Sequence, residues 1–221
     1  MSETRADLPS PVAVIFDLDG TLVDTVALRI QAWLAVFSEE GIPAERQQLA
    51  VLIGSDGRRL ARQVASAAGV TLTPEREEAI DARCGEIFES LNRQPKPLPG
   101  VAPLLAQLDA AGVPWAIATS SRREQVATMV EALHVARPPL IVDGTHVAHA
   151  KPAPDLLLLA ARELKVDPAA CWYVGDSTWD MVAAVAAGMV PIGVTSGAAD
   201  ASTLRAAGAR HVVASLTDLR A

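Results

Sequence analysis

Hydrophobic and polar positions divide the chain into three regions of different periodicity. Near the start, the apolar run at residues 12–16 predicts a buried strand, because β-branched residues are frequent in it and a glycine turn follows. From residue 25 to residue 92 apolar residues recur every three or four positions, which predicts helices and no strand. After residue 100 helical patterns alternate with short apolar runs, which is typical of a parallel sheet covered by helices on both faces.

The middle region predicts three amphipathic helices. The first covers residues 26–41, with Thr25 as its N-cap. The second covers residues 58–68, and the third begins after Thr73, which precedes a proline at the first helical position. A stiff proline-rich segment at residues 95–100 then closes the region. Beyond it we predict helices at 101–111, 122–133, 153–164 and 178–187, and strands at 115–118, 140–142, 171–174 and 191–194.

This order of elements predicts an α/β fold with an insertion. The first strand has to pair with strands that follow the helical region, so we expect a doubly wound parallel sheet formed by residues 1–23 and 96–221. Residues 24–95 form an all-helical cap inserted after the first strand. Because ligands bind at the carboxyl ends of strands in open α/β sheets, the cap would overhang the ligand site.

Composition narrows the possible partners. Half of the 221 residues are hydrophobic, a fifth are charged, and the net charge is −7. This charge disfavours nucleic acid and anionic membranes, which are bound by clustered lysine and arginine. Residues 1–10 contain no signal-peptide core, and no apolar run is long enough to span a bilayer. Cys84 and Cys171 lie far apart without a metal-binding motif, so we expect free thiols in a cytoplasmic protein.

Two carboxylates follow the first predicted strand directly. Successive side chains of an extended chain point to opposite faces. Asp17 and Asp19 are two positions apart, so their side chains start on the same face. Like charges this close repel unless a cation lies between them or one carboxyl is protonated. The pair therefore predicts a divalent metal or a protonated acid. The alternative is an ordinary turn, in which aspartate and glycine are favoured for conformational reasons.

Three further polar clusters follow later predicted strands. They contain Thr119 with Ser120, then Lys151, then Asp176 with Asp180. Each cluster by itself is explained by helix capping or by solvation. Together, at one edge of one sheet, they supply acids for a cation and hydroxyl and ammonium groups for an anion, which is what phosphoryl transfer requires. A carboxylate can then act as the nucleophile, and a second one can protonate the leaving alcohol and deprotonate water.

In this order the clusters resemble the four motifs of the haloacid dehalogenase-like hydrolase superfamily. The resemblance covers essentially the whole chain and is greatest to the helical-cap subfamily that includes phosphoglycolate phosphatase and β-phosphoglucomutase. It implies a Rossmann-like core, with Asp17 as the nucleophile and Asp19 as the general acid and base. It also implies Mg²⁺, held by the Asp17 carboxylate, the Asp19 main-chain carbonyl and Asp176. The phosphoryl oxygens would be held by Thr119, Ser120 and Lys151, with Gly20, Thr21 and Asp180 in supporting positions.

The predicted function is that of a Mg²⁺-dependent phosphatase that acts on a small phosphorylated metabolite through an aspartyl phosphate. We expect the protein to be a monomer or a homodimer. The second carboxylate, Asp19, disfavours the dehalogenases, and a cap without lysine disfavours the phosphonatases. A phosphomutase resembling β-phosphoglucomutase is the alternative. That branch of the family has a histidine in its cap and an apolar residue after its Asp-Gly pair. The corresponding positions here are Arg29 and Thr21, which favours hydrolysis. A non-catalytic binding protein is a third interpretation.

Substrate selection would lie mostly in the cap. Arginines suit a carboxylate or a second phosphate, and phosphoglycolate-like acids and sugar phosphates are both compatible with the sequence. Each of these arginines could equally be a solvated surface residue. The candidates are Arg29, Arg58, Arg122 and Arg123.

Overall fold

A single parallel sheet of six strands forms the centre of the protein. The computed structural model describes residues 8–220. The segment expected to contain no signal-peptide core is residues 1–10, and most of it lies outside the described residues. The strand order is β3-β2-β1-β4-β5-β6. The strands are β1 (Ala13–Phe16), β2 (Trp115–Ala118), β3 (Leu140–Val142), β4 (Cys171–Gly175), β5 (Val190–Val194) and β6 (His211–Val213).

The central strand β1 pairs only with strands that come much later in the chain. Val14 lies opposite Trp115 of β2 on one side and opposite Trp172 of β4 on the other. The strand order reverses at this point, and such a switch point is where open α/β sheets bind ligands. The predicted α/β fold, a Rossmann-like doubly wound sheet, is confirmed.

Helices cover both faces of the sheet. Val14 and Phe16 of β1 point into one hydrophobic core, which is shared with the cap, whereas Ala13 and Ile15 point into a second core. Helices α5 and α6 contribute to the first core, and α7 and α8 to the second. The helices are α1 (Val26–Glu39), α2 (Arg46–Ala50), α3 (Gly57–Ala67), α4 (Pro74–Leu91), α5 (Val101–Ala111), α6 (Arg123–Glu131), α7 (Asp155–Leu164), α8 (Thr178–Ala186) and α9 (Ala201–Ala206). Across residues 8–220, no helix combines the length and the apolar character needed to cross a membrane.

Helices α1 to α4 follow one another between β1 and α5, and α4 packs against both α1 and α3. The chain enters and leaves this helical region through two adjacent segments. The Asp24 N–H donates to the Lys96 carbonyl, and the Leu98 N–H donates to the Leu22 carbonyl, each at 2.9 Å. The cap is therefore attached through a two-stranded antiparallel stem. The boundaries at 23/24 and 95/96 stay a prediction.

The expected side-chain cap at the start of α1 is absent from the described hydrogen bonds. Thr25 occupies the N-cap position, but its hydroxyl makes no capping hydrogen bond. Thr25 Oγ1 instead donates to Asp19 Oδ1 at 2.7 Å. Thr25 is therefore the N-cap residue, as predicted, but a buried carboxylate lies within reach of its hydroxyl and competes for it. Thr73, by contrast, caps α4 as predicted.

Candidate active site

Asp17 lies immediately after β1 and is fully buried among charged groups. Its N–H donates to the Val174 carbonyl at 2.8 Å, which continues the sheet and fixes the backbone. The Lys151 ammonium donates to Asp17 Oδ1 at 2.5 Å. Asp17 Oδ2 is buried and has no hydrogen-bond partner among residues 8–220. Because a buried carboxylate oxygen without a partner is costly, Oδ2 marks a position where a ligand belongs.

Lys151 connects Asp17 to Asp180. It precedes α7, its side chain is buried, and its Nζ also donates to Asp180 Oδ1 at 2.7 Å. Burial alone would lower the pKa of Lys151, but the charges of Asp17 and Asp180 outweigh burial and raise this pKa above its usual value. Lys151 is therefore a buried ammonium at neutral pH.

Three carboxylates meet beside this lysine. Oxygen atoms of Asp17, Asp176 and Asp180 lie within 4.8 Å of one another, close enough to hold one metal ion. Burial and the charge of Asp180 raise the pKa of Asp176 to about 7. Burial also raises the pKa of Asp17 well above its usual value, despite the opposing charge of Lys151. Three carboxylates facing one ammonium leave an excess of negative charge, so this donor set fits a hard divalent cation.

The Asp176 carboxylate is held in place by the loops around it. Thr21 Oγ1 donates to Asp176 Oδ1 at 3.0 Å, and the Ala198 N–H donates to Oδ2 at 2.7 Å. Gly20 adopts a φ of +77°, and a Cβ there would lie 2.5 Å from Asp176 Oδ2. A Cβ on Gly197 would lie 1.9 Å from the same oxygen. Two glycines are thus needed for the close approach of backbone to this carboxylate.

Asp180 is positioned by its own helix and by the sheet. The Ser177 N–H donates to Asp180 Oδ2 and the Asp180 N–H donates to Ser177 Oγ, which together form a capping box at the start of α8. Ser177 Oγ also donates to Asp180 Oδ2. Tyr173 Oη lies 3.0 Å from Asp180 Oδ1 and 3.1 Å from the Ala118 carbonyl. The sequence analysis missed Tyr173, since an aromatic residue inside a buried strand looks like a core residue.

Asp19 lies in the same cleft as Asp17, but it has different partners. Its carboxylate accepts hydrogen bonds from Thr25 Oγ1, from Ser121 Oγ at 2.6 Å, and from Nε and Nη2 of Arg29 at 2.9 and 3.2 Å. Burial raises the pKa of Asp19, but the charge and hydrogen bonds of Arg29 outweigh burial and hold this pKa below its usual value. Asp19 is therefore an ionised carboxylate in an ion pair with the cap.

Arg29, on α1 of the cap, reaches side chains of the core. Its Nη1 donates to Gln125 Oε1 at 2.5 Å, its Nη2 donates to Ser121 Oγ at 2.7 Å, and its guanidinium carbon lies 3.5 Å from the centroid of the Phe88 ring. Gln125 and Ser121 come from α6 and the loop before it, on the core side. The sequence analysis found Arg29 but missed Gln125, because only the folded chain brings them together.

One cleft between cap and core is lined by six of the thirteen predicted site residues. It encloses about 520 Å³ of space, part of it open to solvent. Thr119 and Ser120 line this cleft after β2, and Ser120 Oγ donates to the carbonyl of Gly54 in the cap at 3.4 Å. The remaining predicted residues in its lining are Asp17, Asp19, Arg29 and Lys151.

The other three candidate arginines lie outside the lining of this cleft. Arg122 crosses from the core to the cap, where it donates to Asp81 at 2.7 Å and to Glu78 at 2.6 Å. Arg58 forms an ion pair with Asp56, with Nη2 2.8 Å from Oδ2. Arg123 forms an ion pair with Asp143, with Nε 3.5 Å from Oδ2.

Backbone contacts also fix the cap over the site. The Asp56 N–H donates to the carbonyl of Lys151 at 2.9 Å. Trp179 Nε1, from α8, donates to the carbonyl of Val51 at 3.0 Å. Gly54 lies so close to the core that a Cβ there would be 2.6 Å from Ser177 Oγ. The loop before α3 is therefore in direct contact with the third and fourth predicted motifs.

Comparison with known sequences places this geometry in a family. Residues 14–194 match the sequence model of the haloacid dehalogenase-like hydrolases. The chain belongs to the haloacid dehalogenase-like hydrolase family. The family that the motifs predicted is confirmed.

Curated relatives of this hydrolase are phosphatases and phosphomutases. A probable phosphatase, IndB of Dickeya dadantii, is 32% identical over 93% of this chain and 90% of its own length. A phosphoglycolate phosphatase of Xanthomonas campestris is 34% identical over 81% of this chain and 80% of its own length. The β-phosphoglucomutase of Bacillus subtilis is 30% identical over 84% of each chain.

A solved structure supports the same assignment. A hydrolase from Pseudomonas syringae has a TM-score of 0.89 and 33% identity to this hydrolase, covering 93% of this chain and 94% of the other. The predicted enzyme class is confirmed: this is a phosphoryl-transferring enzyme of the phosphatase and phosphomutase group.

Proposed function

We propose that this hydrolase is a Mg²⁺-dependent phosphatase that acts in the cytoplasm on a small phosphorylated metabolite. The observation that carries the proposal is Asp17, a buried carboxylate with one oxygen held by Lys151 at 2.5 Å and the other without a partner. A carboxylate in this state is oriented yet still able to take a new bond. Asp17 is the nucleophile of the proposal.

Mg²⁺ fits the donors beside Asp17. The Asp17 and Asp176 carboxylates and the main-chain carbonyl of Asp19 would hold it, and Asp180 would keep Lys151 in place through the contact at 2.7 Å. When bound, Mg²⁺ neutralises the carboxylates and draws electron density from the phosphoryl oxygens. Lys151, Thr119 and Ser120 line the same cleft and supply the ammonium and hydroxyl donors for those oxygens.

The reaction takes place in two steps on Asp17. First, an Asp17 oxygen forms a bond to phosphorus while the ester oxygen leaves with a proton from Asp19. Second, Asp19 takes a proton from water as that water attacks phosphorus, which releases phosphate and restores the Asp17 carboxylate. Both steps conserve charge and protons. Asp19 is ionised while it is bound by Arg29, so before the first turnover it must take a proton from solvent as Arg29 loosens its contact with the carboxylate. The second step then returns Asp19 to this protonated form for the next turnover.

The experiment is phosphate release from a panel of phosphate monoesters, with Mg²⁺ and with EDTA. We expect Mg²⁺-dependent release by the wild-type protein and none by Asp17→Asn. Release that is unaffected by EDTA, or an active and folded Asp17→Asn protein, would contradict the proposal.

Phosphomutase activity is the second candidate, and the relationship to a β-phosphoglucomutase supports it. Against it, the residue that replaces the expected cap histidine is Arg29, which is bound to Asp19. Isomerisation of β-glucose 1-phosphate without net phosphate release would establish the mutase in place of the phosphatase.

A further inference from the structure

The leaving group of a substrate would have to lie in the cleft beneath the cap, where arginines are already paired. Arg29, the arginine in the lining of that cleft, forms an ion pair with Asp19. Arg122, which lies outside the lining of the cleft, forms ion pairs with Asp81 and Glu78. A second anionic group on the substrate would therefore have to displace Asp19 from Arg29 before it gained a cation from the arginine that lines the cleft.

Asp81 brings a carboxylate into the cleft from the cap. It lies on α4, its side chain is 19% exposed, and it lines the cleft together with Asp17 and Asp19. Both hydrogen bonds from Arg122 end on Asp81 Oδ2, from Nε at 2.9 Å and from Nη2 at 2.7 Å. Asp81 is thus held firmly by one oxygen only.

The other oxygen of Asp81 lies against a glycine. A Cβ on Gly57 would be 1.9 Å from Asp81 Oδ1, so a side chain at that position would take the place of the carboxylate. Gly57 is the first residue of α3, and the partial positive charge of a helix N-terminus favours a carboxylate there. The glycine permits an acid to reach the cleft at this position.

Gln125 adds an amide group to the same cleft. Its Oε1 accepts a hydrogen bond from Arg29 Nη1. A Cβ on Gly85 would lie 2.3 Å from Gln125 Nε2. The amide nitrogen of Gln125 therefore lies against the cap at Gly85, where the glycine leaves room for it. The cleft thus contains an anionic acceptor at Asp81 and a neutral donor at Gln125, and these are the two kinds of group to which hydroxyl groups form hydrogen bonds.

We propose that Asp81 is a specificity-determining residue that accepts a hydrogen bond from a hydroxyl group of the leaving alcohol. The substrate class is the phosphate monoester of an uncharged polyol or sugar, and esters that carry a carboxylate or a second phosphate are disfavoured. The proposal rests on the proposed phosphatase activity and specifies its substrate. The physical reason is that a second anion meets Asp81, Asp19 and Asp17 in one cleft, whereas a hydroxyl donates to a carboxylate without adding charge.

The test compares two substrates that differ in one group. Glycerol 3-phosphate and 3-phosphoglycerate have the same three-carbon skeleton, but a hydroxymethyl group in the first is a carboxylate in the second. With the full-length protein and Mg²⁺, we expect kcat/KM to be at least tenfold higher for glycerol 3-phosphate. Asp81→Asn keeps the size of the side chain and removes its charge, so it should reduce this ratio at least fivefold.

Glu78→Gln is the matched control. Glu78 also pairs with Arg122, but it lies outside the lining of the cleft, so its neutralisation should leave the substrate ratio within twofold of wild type. An equal effect of Glu78→Gln and Asp81→Asn would overturn the role of Asp81. A wild-type preference for 3-phosphoglycerate would overturn the substrate class and leave the phosphatase standing. Failure to release phosphate from either ester, and from p-nitrophenyl phosphate, would overturn the proposed function itself.

Discussion

The guanidinium of Arg29 lies against both carboxylate oxygens of Asp19, with Nε 2.9 Å from Oδ1 and Nη2 3.2 Å from Oδ2. The two side chains are 11% and 8% exposed, so this is a buried ion pair between the first helix of the cap and the loop after β1. Because Arg29 also donates to Ser121 and Gln125, a movement of α1 changes the surroundings of Asp19. The position of the cap and the state of the proposed acid and base are therefore coupled.

Arg29→Met should destabilise the fold by about 3–5 kcal/mol, because it leaves Asp19 buried without its counter-ion. The double variant Arg29→Met/Asp19→Asn removes the uncompensated charge and should recover a large part of that loss. Urea denaturation of the four proteins in the cycle measures the coupling between the two residues. Additive effects of the two single changes would show that the ion pair contributes nothing to stability.

Asp17→Asn should lower the rate of phosphate release by at least about 10³-fold, because an amide cannot replace the proposed nucleophile. The fold should persist. Burial raises the pKa of Asp17 well above its usual value, so an uncharged side chain at this position avoids the cost of burying a carboxylate, while it gives up the charge that pairs with Lys151. Thermal unfolding in EDTA should give a melting temperature at or above that of wild type. A lower one would show that the Asp17 charge stabilises the fold through Lys151.

Gly20→Ala should disturb the cluster of carboxylates. The alanine would have to adopt a φ of +77° with its Cβ 2.5 Å from Asp176 Oδ2 and 2.7 Å from Val26 Cγ2. We expect a loss of more than about 2 kcal/mol in the free energy of unfolding and at least a tenfold increase in the Mg²⁺ concentration needed for half-maximal phosphate release.

Gly41→Ala is the control for backbone strain alone. Gly41 has a φ of +66°, but nothing lies within 4 Å of a Cβ built on it. The cost should be about 1 kcal/mol, with no change in Mg²⁺ dependence. Equal effects at the two glycines would mean that the contact with Asp176 is unimportant.

The stability of the metal-free protein should depend on pH through Asp176. Its pKa rises from 3.8 to about 7 in the folded state, mainly because of burial and the charge of Asp180. Between these values the folded state binds the proton more tightly than the unfolded state, so this group makes stability fall as pH rises, by up to roughly 1.4 kcal/mol per pH unit. Below pH 3.8 Asp176 is protonated in both the folded and the unfolded state, so it has no effect on the pH dependence of stability. Above about pH 7 the whole of its contribution to the free energy of unfolding has been lost.

Asp176→Asn isolates this effect. Relative to wild type, the variant should be more stable at pH 8 than at pH 5 when both are unfolded by urea in EDTA. Mg²⁺ should bind wild type more tightly as pH rises, since the ion competes with the proton for Asp176. A stability difference that is the same at both pH values would place the proton elsewhere in the cluster.

Elements with a continuous apolar run or a regular apolar periodicity were predictable from the sequence. β2, β3 and α5 lie at the residues expected, and other predicted elements begin or end within about two residues of their expected positions. Helices α2 and α9 and strand β6 were missed. The two helices have five and six residues, which is too short for a helical period to show. β6 is as short as β3, but it begins with His211 and so lacks the continuous apolar run that identified β3.

The position of the site was predictable, but most of its contacts were not. Four motifs at strand ends pointed to residues that the structure brings together in the cleft or in the cluster of carboxylates, since parallel strands end at one edge of a sheet. The partners of Arg29 at Ser121 and Gln125 are 92 and 96 residues away in sequence, and only tertiary packing selects them. Arg122 could have been a substrate ligand or a surface residue by sequence alone, and its contact with Asp81 belongs to neither expectation.

The two-stranded stem at residues 22–24 and 96–98 makes the cap an exchangeable module. Both of its connections leave the core side by side, so the sheet has no need of what lies between them in order to close its hydrogen bonds. A helical segment of another length or sequence could be joined at the same stem while β1 kept its pairing with β2 and β4. The chemistry at the strand ends can therefore stay constant while its selectivity diverges.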